Sequence, residues 1–395
     1  DCCAMPSLII RAGRAFTPHE EIPDATIVIE DGKIAAVGRR DAIHAPAGAK
    51  EILARDMILA PGFVDIHIHG AGGHDVMSST EEALGAVART VAAHGTTALV
   101  ATTVTAPPDE TRRCLEEIAR FIKSPVNTTA PALPTAEIVG IHLEGPFISA
   151  TKRGVHPPGA IAKPSIALFD RYFEAADGTA KILTLAPEIP GALDLVERGY
   201  AKGLVVALGH TDATYEQAHT AIFRGARHAV HVFNAMRNFS HRETGVLGAV
   251  LTDDSVTAEI IADGVHVDDP AIRLLLAAKG TNLVILVSDG ISATGMRDGT
   301  YRLGTFDVTV SGGICRNREG KLAGSTLTLD RAIQHMVRLG VPVIEAIRMA
   351  TFNPARRVGL ESRKGVLAPG ADADFVLLTP ELKIANVYTR GVALS

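Results

Sequence analysis

Eight short apolar runs, each closed by polar or turn-forming residues, constrain this chain more than any other feature. They span residues 63–69, 97–104, 138–144, 182–186, 205–210, 228–233, 257–262 and 283–289. A strand buried on both faces reads as a near-continuous apolar run, and parallel neighbours need a crossover of a dozen residues or more. The first seven runs are each followed by enough chain for one. Between the first two, Ser79 and Glu82 have capping-box spacing and Gly95 can close the helix. The pattern predicts an α/β fold, a (β/α)8 TIM-like barrel rather than a doubly wound sheet. No glycine-rich phosphate loop stands at the first strand–helix junction, so a nucleotide-binding fold has no support.

The ends of the chain read differently. Residues 25–30 alternate apolar and polar, Asp31-Gly32 makes a tight turn, and residues 33–37 return as a second strand. After Pro369-Gly370, residues 374–378 and 384–388 read as strands. The expected division is a small β domain of sandwich type, residues 1–60 plus 364–395, around a catalytic barrel at 61–363. A length of 395 residues accommodates both.

Composition narrows the class of partner. Hydrophobic residues at 47% and charged residues at 21% describe a globular chain. The formal net charge is −5, with no basic block and few aromatics, which argues against nucleic acid. The apolar start at residues 8–10 is too short for a signal core or membrane span. Cys2, Cys3, Cys114 and Cys315 are too few and scattered for a disulfide framework, which fits a reducing cytoplasmic setting. Residues 1–4 precede Met5 and carry no weight here.

The chemistry is concentrated where the apolar runs end. In PGFVDIHIHG, residues two apart share a strand face, so His67 and His69 point together with Asp65 below them. Glu144 ends the third run, His210 the fifth and Asp289 the eighth, and His231 lies in the sixth. Barrel enzymes build their sites at that edge. A buried carboxylate ending an apolar run is costly unless paired or metal-bound, and six such groups together favour a metal site over satisfied core polar groups. Imidazoles and carboxylates without thiolates suit a divalent ion, Zn²⁺ foremost, with Fe²⁺, Co²⁺ or Mn²⁺ also compatible. Such an ion with an open position lowers the pKa of water to about 7. Asp289 is the expected general base and acid for hydrolysis of an amide or similar bond. No GxSxG elbow offers a serine nucleophile.

The strings PGFVDIHIHG, HLEGPF, LGHT, HVFNAM and SDGISATG together resemble the N-acetylglucosamine-6-phosphate deacetylases of the amidohydrolase superfamily, over almost the whole chain. The segment 364–378, KGVLAPGADADFVLL, fits the same family's small sheet. The resemblance implies release of acetate from N-acetyl-D-glucosamine 6-phosphate. It implies that Glu144, His210 and His231 hold the principal metal, with His67 and His69 at a second position that Glu144 bridges, for one or two ions in all. It places His156 over the acetyl carbonyl and Asn234 and Ala235 against the substrate. His266 and Arg242 would meet the 6-phosphate, the arginine reaching across a homodimer, with His241 as its alternative. No lysine lies among the strand-end ligands, unlike the amidohydrolases that bridge two metals with a carboxylated lysine. Other readings are the galactosamine epimer as substrate, an N-acyl-amino-acid deacylase, or a non-catalytic metal-binding scaffold.

The remaining histidines read as structural. His142 shares the face of Glu144 and could orient it, whereas His228, three residues before His231, falls on the opposite face by strand periodicity. His94, His219 and His335 lie on helices, and His19, His44 and His74 in loops.

Overall fold

The structure, a computed structural model, describes residues 7–44, 46–128, 135–304 and 306–394. Cys2 and Cys3 lie outside these residues, while Cys114 and Cys315 are buried free thiols. Eight parallel strands stand in sequence order: Phe63–Ile68, Thr96–Thr103, Glu137–Glu144, Ala180–Leu185, Val205–Leu208, Ala226–Ala229, Thr257–Ile260 and Val284–Leu286. The sheet rolls until its edges meet. The Asp289 amide donates to the His67 carbonyl at 2.9 Å, and Ile68 bridges to Gly290 in parallel register. This is the expected barrel.

Amphipathic helices cover it. In Pro108–Lys123 the residues Cys114, Leu115, Ile118 and Ala119 face inward, while Asp109 and Glu110 begin the helix and Arg120 and Lys123 end it, as the helix dipole favours. The first helix, Glu81–Ala92, is capped one residue later than expected. Thr80 accepts from the Ala83 amide, whereas Ser79 is left-handed and closes a preceding short turn. Gly95, at φ 87°, then turns the chain into the second strand.

The two termini build one seven-stranded sheet. Leu8–Phe16 pairs with Glu21–Glu30 and, in parallel, with Lys50–Pro61, and the C-terminal strand Phe375–Leu378 joins the other edge of Lys50–Pro61. The hairpin at Asp31-Gly32 has φ 47° and 74°, both positive as a type I′ turn requires. Its separate core includes Ile10, Ile27, Leu59 and Phe375, with Tyr388 stacked on Phe375 at 4.5 Å. A third sheet, of three strands, was not foreseen: Gly299–Leu303, Phe306–Ser311 and Ile314–Arg316 follow the eighth barrel strand. Its strands are short and alternate about glycine turns, a pattern hidden behind the stronger barrel runs.

A buried charge cluster clamps the terminal sheet to the barrel. Lys364 is 1% exposed and its Nζ donates to Asp374 at 2.6 Å, Glu137 at 2.7 Å and Asp372 at 2.9 Å. Arg363 makes a paired contact to Glu137 at 2.8 and 2.9 Å. Burial works against the charges of Glu137 and Asp372, but Arg363 and Lys364 hold both carboxyls below their usual range. Their stabilising contribution is therefore present above the unfolded pKa of about 4 and is lost as pH falls through the lower folded values. Removing the Lys364 ammonium takes the cation from buried Asp374 and leaves Glu137 and Asp372 to share Arg363. Lys364→Met should cost about 3–5 kcal/mol of stability, read as a lower melting temperature at pH 7. A variant that melts like the parent would disprove this role.

Candidate metal centre

Glu144 is the hub of the barrel mouth. It is 2% exposed at the end of the third strand, and five imidazoles converge on its two oxygens. Oε1 lies 3.0 Å from His231 Nε2, 3.1 Å from His210 Nε2 and 3.3 Å from His67 Nε2. Oε2 lies 3.2 Å from His69 Nε2 and 3.4 Å from His156 Nε2. Asp289 Oδ1 completes the group at 3.3 Å from His69 Nε2 and 3.8 Å from His67 Nε2. Among the described residues, three overlapping trios could each hold an ion: His67, His69 and Asp289; His67, Glu144 and His231; and Glu144, His156 and His210.

The backbone leaves regular strand geometry to bring them together. His210, His231 and Asp289 follow the last strand residues in left-handed conformations, at φ 47°, 29° and 47°. Phe233 and Ala235 share that conformation at φ 80° and 52°. Each non-glycine residue held so costs on the order of 1–3 kcal/mol, and such strain concentrates at functional sites. His231 therefore lies beyond the sixth strand, not within it.

Hydrogen bonds decide which nitrogen of each ring faces Glu144. His69 Nδ1 donates to the Thr102 carbonyl at 3.2 Å and His210 Nδ1 to the Lys152 carbonyl at 3.0 Å. His67 Nδ1 donates to Glu259 at 2.8 Å. In these three rings Nε2 is then left with its lone pair toward a carboxylate, a repulsive arrangement without a cation between them. His67 Nε2 is buried and makes no hydrogen bond among the described residues. The Nε2 atoms of His210 and His231 stand 3.1 Å apart. Ligands of one tetrahedral zinc stand roughly 3.3 Å apart for bonds of 2.0–2.1 Å. Burial opposes a charge on His69, yet Asp289 and Glu144 beside it hold its proton up to about 9. The cluster thus demands positive charge, which a divalent ion supplies in place of protons. The residues fit a metal.

His156 is built differently. Its Nδ1 accepts from the Thr105 amide at 3.2 Å and contacts the Thr105 hydroxyl at 2.8 Å. Burial and neighbouring His210 push its pKa down to about 4. Neutral His156 therefore carries its proton on Nε2 and aims a donor at the pocket. For that reason His156 reads as a hydrogen-bond donor within its trio and not as a ligand, which leaves Glu144 and His210 to face an ion.

Asp289 and His266 form the pocket's polar rim. Burial raises the cost of the Asp289 charge, but the bond to His69 and the surrounding imidazoles hold its carboxyl below the usual range. His266 is turned by Asp263, whose Oδ2 lies 2.7 Å from its Nδ1. Burial weakens the His266 proton, and Asp263 more than restores it. The cavity, about 470 Å³, is lined by His69, Glu144, His156, His210, His231 and Asp289, and also by Asn234, Ala235 and His266. His67 lies fully buried. Arg242 and His241 are exposed and do not line this pocket.

Sequence reasoning missed Glu259. It is fully buried on the seventh strand, with Oε2 accepting from His67 and Oε1 lying 2.8 Å from His228 Nε2. Glu259 also accepts from the His231 amide at 3.3 Å. His228 thus turns into the barrel, correcting its assignment to the opposite face. The left-handed backbone at His231 breaks period-two counting between the two. His142 bonds Thr184 and lies near Thr102 and the Ile66 carbonyl, not against Glu144. A glutamate inside the apolar run at 257–262 was the available signal for Glu259. Glu259→Gln should lower metal affinity or turnover about 10–100-fold, measured by metal titration beside kcat. Unchanged values for both would remove Glu259 from the site.

A histidine–carboxylate cluster at the C-terminal mouth of a (β/α)8 barrel defines a metal-dependent hydrolase. Residues 58–394 match the amidohydrolase family, and the chain belongs to it. It is 36% identical over 387 residues to an N-acetylglucosamine-6-phosphate deacetylase of Vibrio furnissii, covering 96% of this chain and 93% of that one. It is also 36% identical to an N-acetylgalactosamine-6-phosphate deacetylase of Escherichia coli O157:H7, covering 97% and 98% of the two. The fold superposes with a TM-score of 0.91 on a mutant N-acetyl-D-glucosamine-6-phosphate deacetylase of Mycobacterium smegmatis in complex with N-acetyl-D-glucosamine 6-phosphate. That pair is 34% identical, over 99% of this chain and all of the other.

Proposed function

We propose that this chain hydrolyses N-acetyl-D-glucosamine 6-phosphate to D-glucosamine 6-phosphate and acetate. The observation that carries the reading is one pocket in which a carboxylate, a neutral histidine donor and the imidazole cluster around Glu144 face the same space. Near-full-length relatives with this activity support it.

Glu144, His210 and His231 would hold the principal ion, and His67 and His69 a second. Zn²⁺ leads on ligand type, with Fe²⁺, Co²⁺ or Mn²⁺ alternatives. When bound, a divalent ion lowers the pKa of water to about 7 and polarises a carbonyl. Asp289 takes the proton from the attacking water and returns it to the leaving nitrogen. The His156 Nε2 proton meets the charge that grows on the carbonyl oxygen. Asn234 and Ala235 orient the sugar, and protonated His266 meets the phosphate.

Arg242 stands outside its own pocket, so its phosphate contact would come from the second subunit of a homodimer. On that reading Arg242→Ala raises KM for the sugar phosphate by about tenfold or more and spares kcat, as loss of a charge-assisted contact does. Unchanged KM rules the contact out. The buried thiols of Cys114 and Cys315 are compatible with a reducing cytoplasmic setting. Acetate release from N-acetyl-D-glucosamine 6-phosphate by the metal-loaded protein tests the function, and its absence would overturn it. The Escherichia coli relative makes the galactosamine epimer a second reading. The ratio of kcat/KM for the two sugar phosphates separates them.

A further inference from the structure

At the N-terminal end of the barrel, opposite the reaction centre, a cavity of about 540 Å³ is lined by four cations and no carboxylate. Lys181 stands near the start of the fourth strand, Lys202 just ahead of the fifth, and Arg356 and Arg357 end the helix Phe352–Arg357. Acidic residues outnumber basic ones 44 to 39 in this chain, so a carboxylate-free group of four basic residues is not a consequence of overall charge.

These cations are placed but not neutralised. The lining offers Lys181 and Arg357 no carboxylate, the buried Arg357 Nε has no hydrogen-bond partner among the described residues, and Arg356 donates only to the Asn282 carbonyl at 3.5 Å. The stem of Lys181 is laid against Gly140, where a Cβ would come within 2.3 Å of Lys181 Cγ. Lys202 rests on the Phe173 ring at 5.0 Å, and Arg356 on the Phe352 ring at 5.5 Å. Burial pushes the Arg357 guanidinium down to about 10, with neighbouring Arg356 and Arg227 acting in the same direction. The C-terminal dipole of a helix offers only about half a negative charge, too little for four cations.

We propose that this cavity binds the phosphate group of a small molecule, at a site separate from the reaction centre. Two arginine forks and two ammonium groups can surround phosphate oxygens with charge-assisted bonds, and Phe173 and Val358 offer apolar surface for an attached carbon skeleton. The volume lies within the usual range for small ligands, roughly 300–1,000 Å³.

The test compares the holoenzyme with its Lys181→Gln/Arg356→Gln variant, in calorimetric titrations with inorganic phosphate and with glycerol 3-phosphate at low salt. The parent should bind one equivalent more than the variant, or bind it about tenfold more tightly, with kcat/KM for the reaction unchanged. Tighter binding of glycerol 3-phosphate than of inorganic phosphate identifies a phosphorylated metabolite as the occupant; equal binding identifies free phosphate. Without phosphate the variant should melt at the same temperature as the parent or higher, because like charges have been removed. Equal phosphate binding by the two proteins overturns the proposal. A variant that melts lower without phosphate also overturns it, since the cations would then be structural.

Discussion

Asp289→Asn should retain bound metal and lose turnover by about 10²–10⁴-fold. The carboxylate lies 3.3 Å from His69 Nε2 and lines the same pocket as His156, and in the proposed reaction it takes a proton from the attacking water and returns it to the leaving nitrogen. An amide keeps nearly the same shape but does not accept and return a proton at this position. The main effect belongs on kcat, because the ligands on Glu144 are untouched. Elemental analysis beside single-turnover acetate release measures both quantities. An active asparagine variant would show that the proton travels by another group.

Glu144→Gln should have an effect as large on activity by a different route. Five imidazole nitrogens lie within 3.4 Å of one or other Glu144 oxygen, and both trios that contain Glu144 lose their anionic member. The glutamine amide brings donors toward Nε2 atoms and removes the charge that favours a cation. Metal content should fall together with kcat, whereas Asp289→Asn separates the two. Full metal occupancy in Glu144→Gln would show that the ion is held elsewhere. The contrast between these variants distinguishes a hub of the ligand set from a proton carrier.

Much of this was legible in the chain itself. Seven-residue runs such as 63–69 and 138–144 carry both the strand and the polar group that ends it, since strand periodicity and the cost of a buried carboxylate are local statements. The hairpin at Asp31-Gly32 was equally local. Glu259 was harder, because its role depends on His67, 192 residues earlier, and on His228, 31 residues earlier. The capping residue moved from Ser79 to Thr80 through a left-handed turn that spacing does not reveal.

The sequence by itself determined the barrel, the sheet built from both ends, and the ligand types that make metal-assisted hydrolysis the reaction class. Run length, period and donor chemistry are properties of short segments, and they survive in one dimension. Only the tertiary structure decided how those groups act. The Thr105 amide makes His156 a donor, while the Thr102 and Lys152 carbonyls turn His69 and His210 into acceptors at Nε2. It also placed Arg242 outside its own pocket and gathered Lys181, Lys202, Arg356 and Arg357 at the opposite end of the barrel. Tautomers, exposure and uncompensated charge depend on partners distant in sequence, and folding alone brings those partners within hydrogen-bond range.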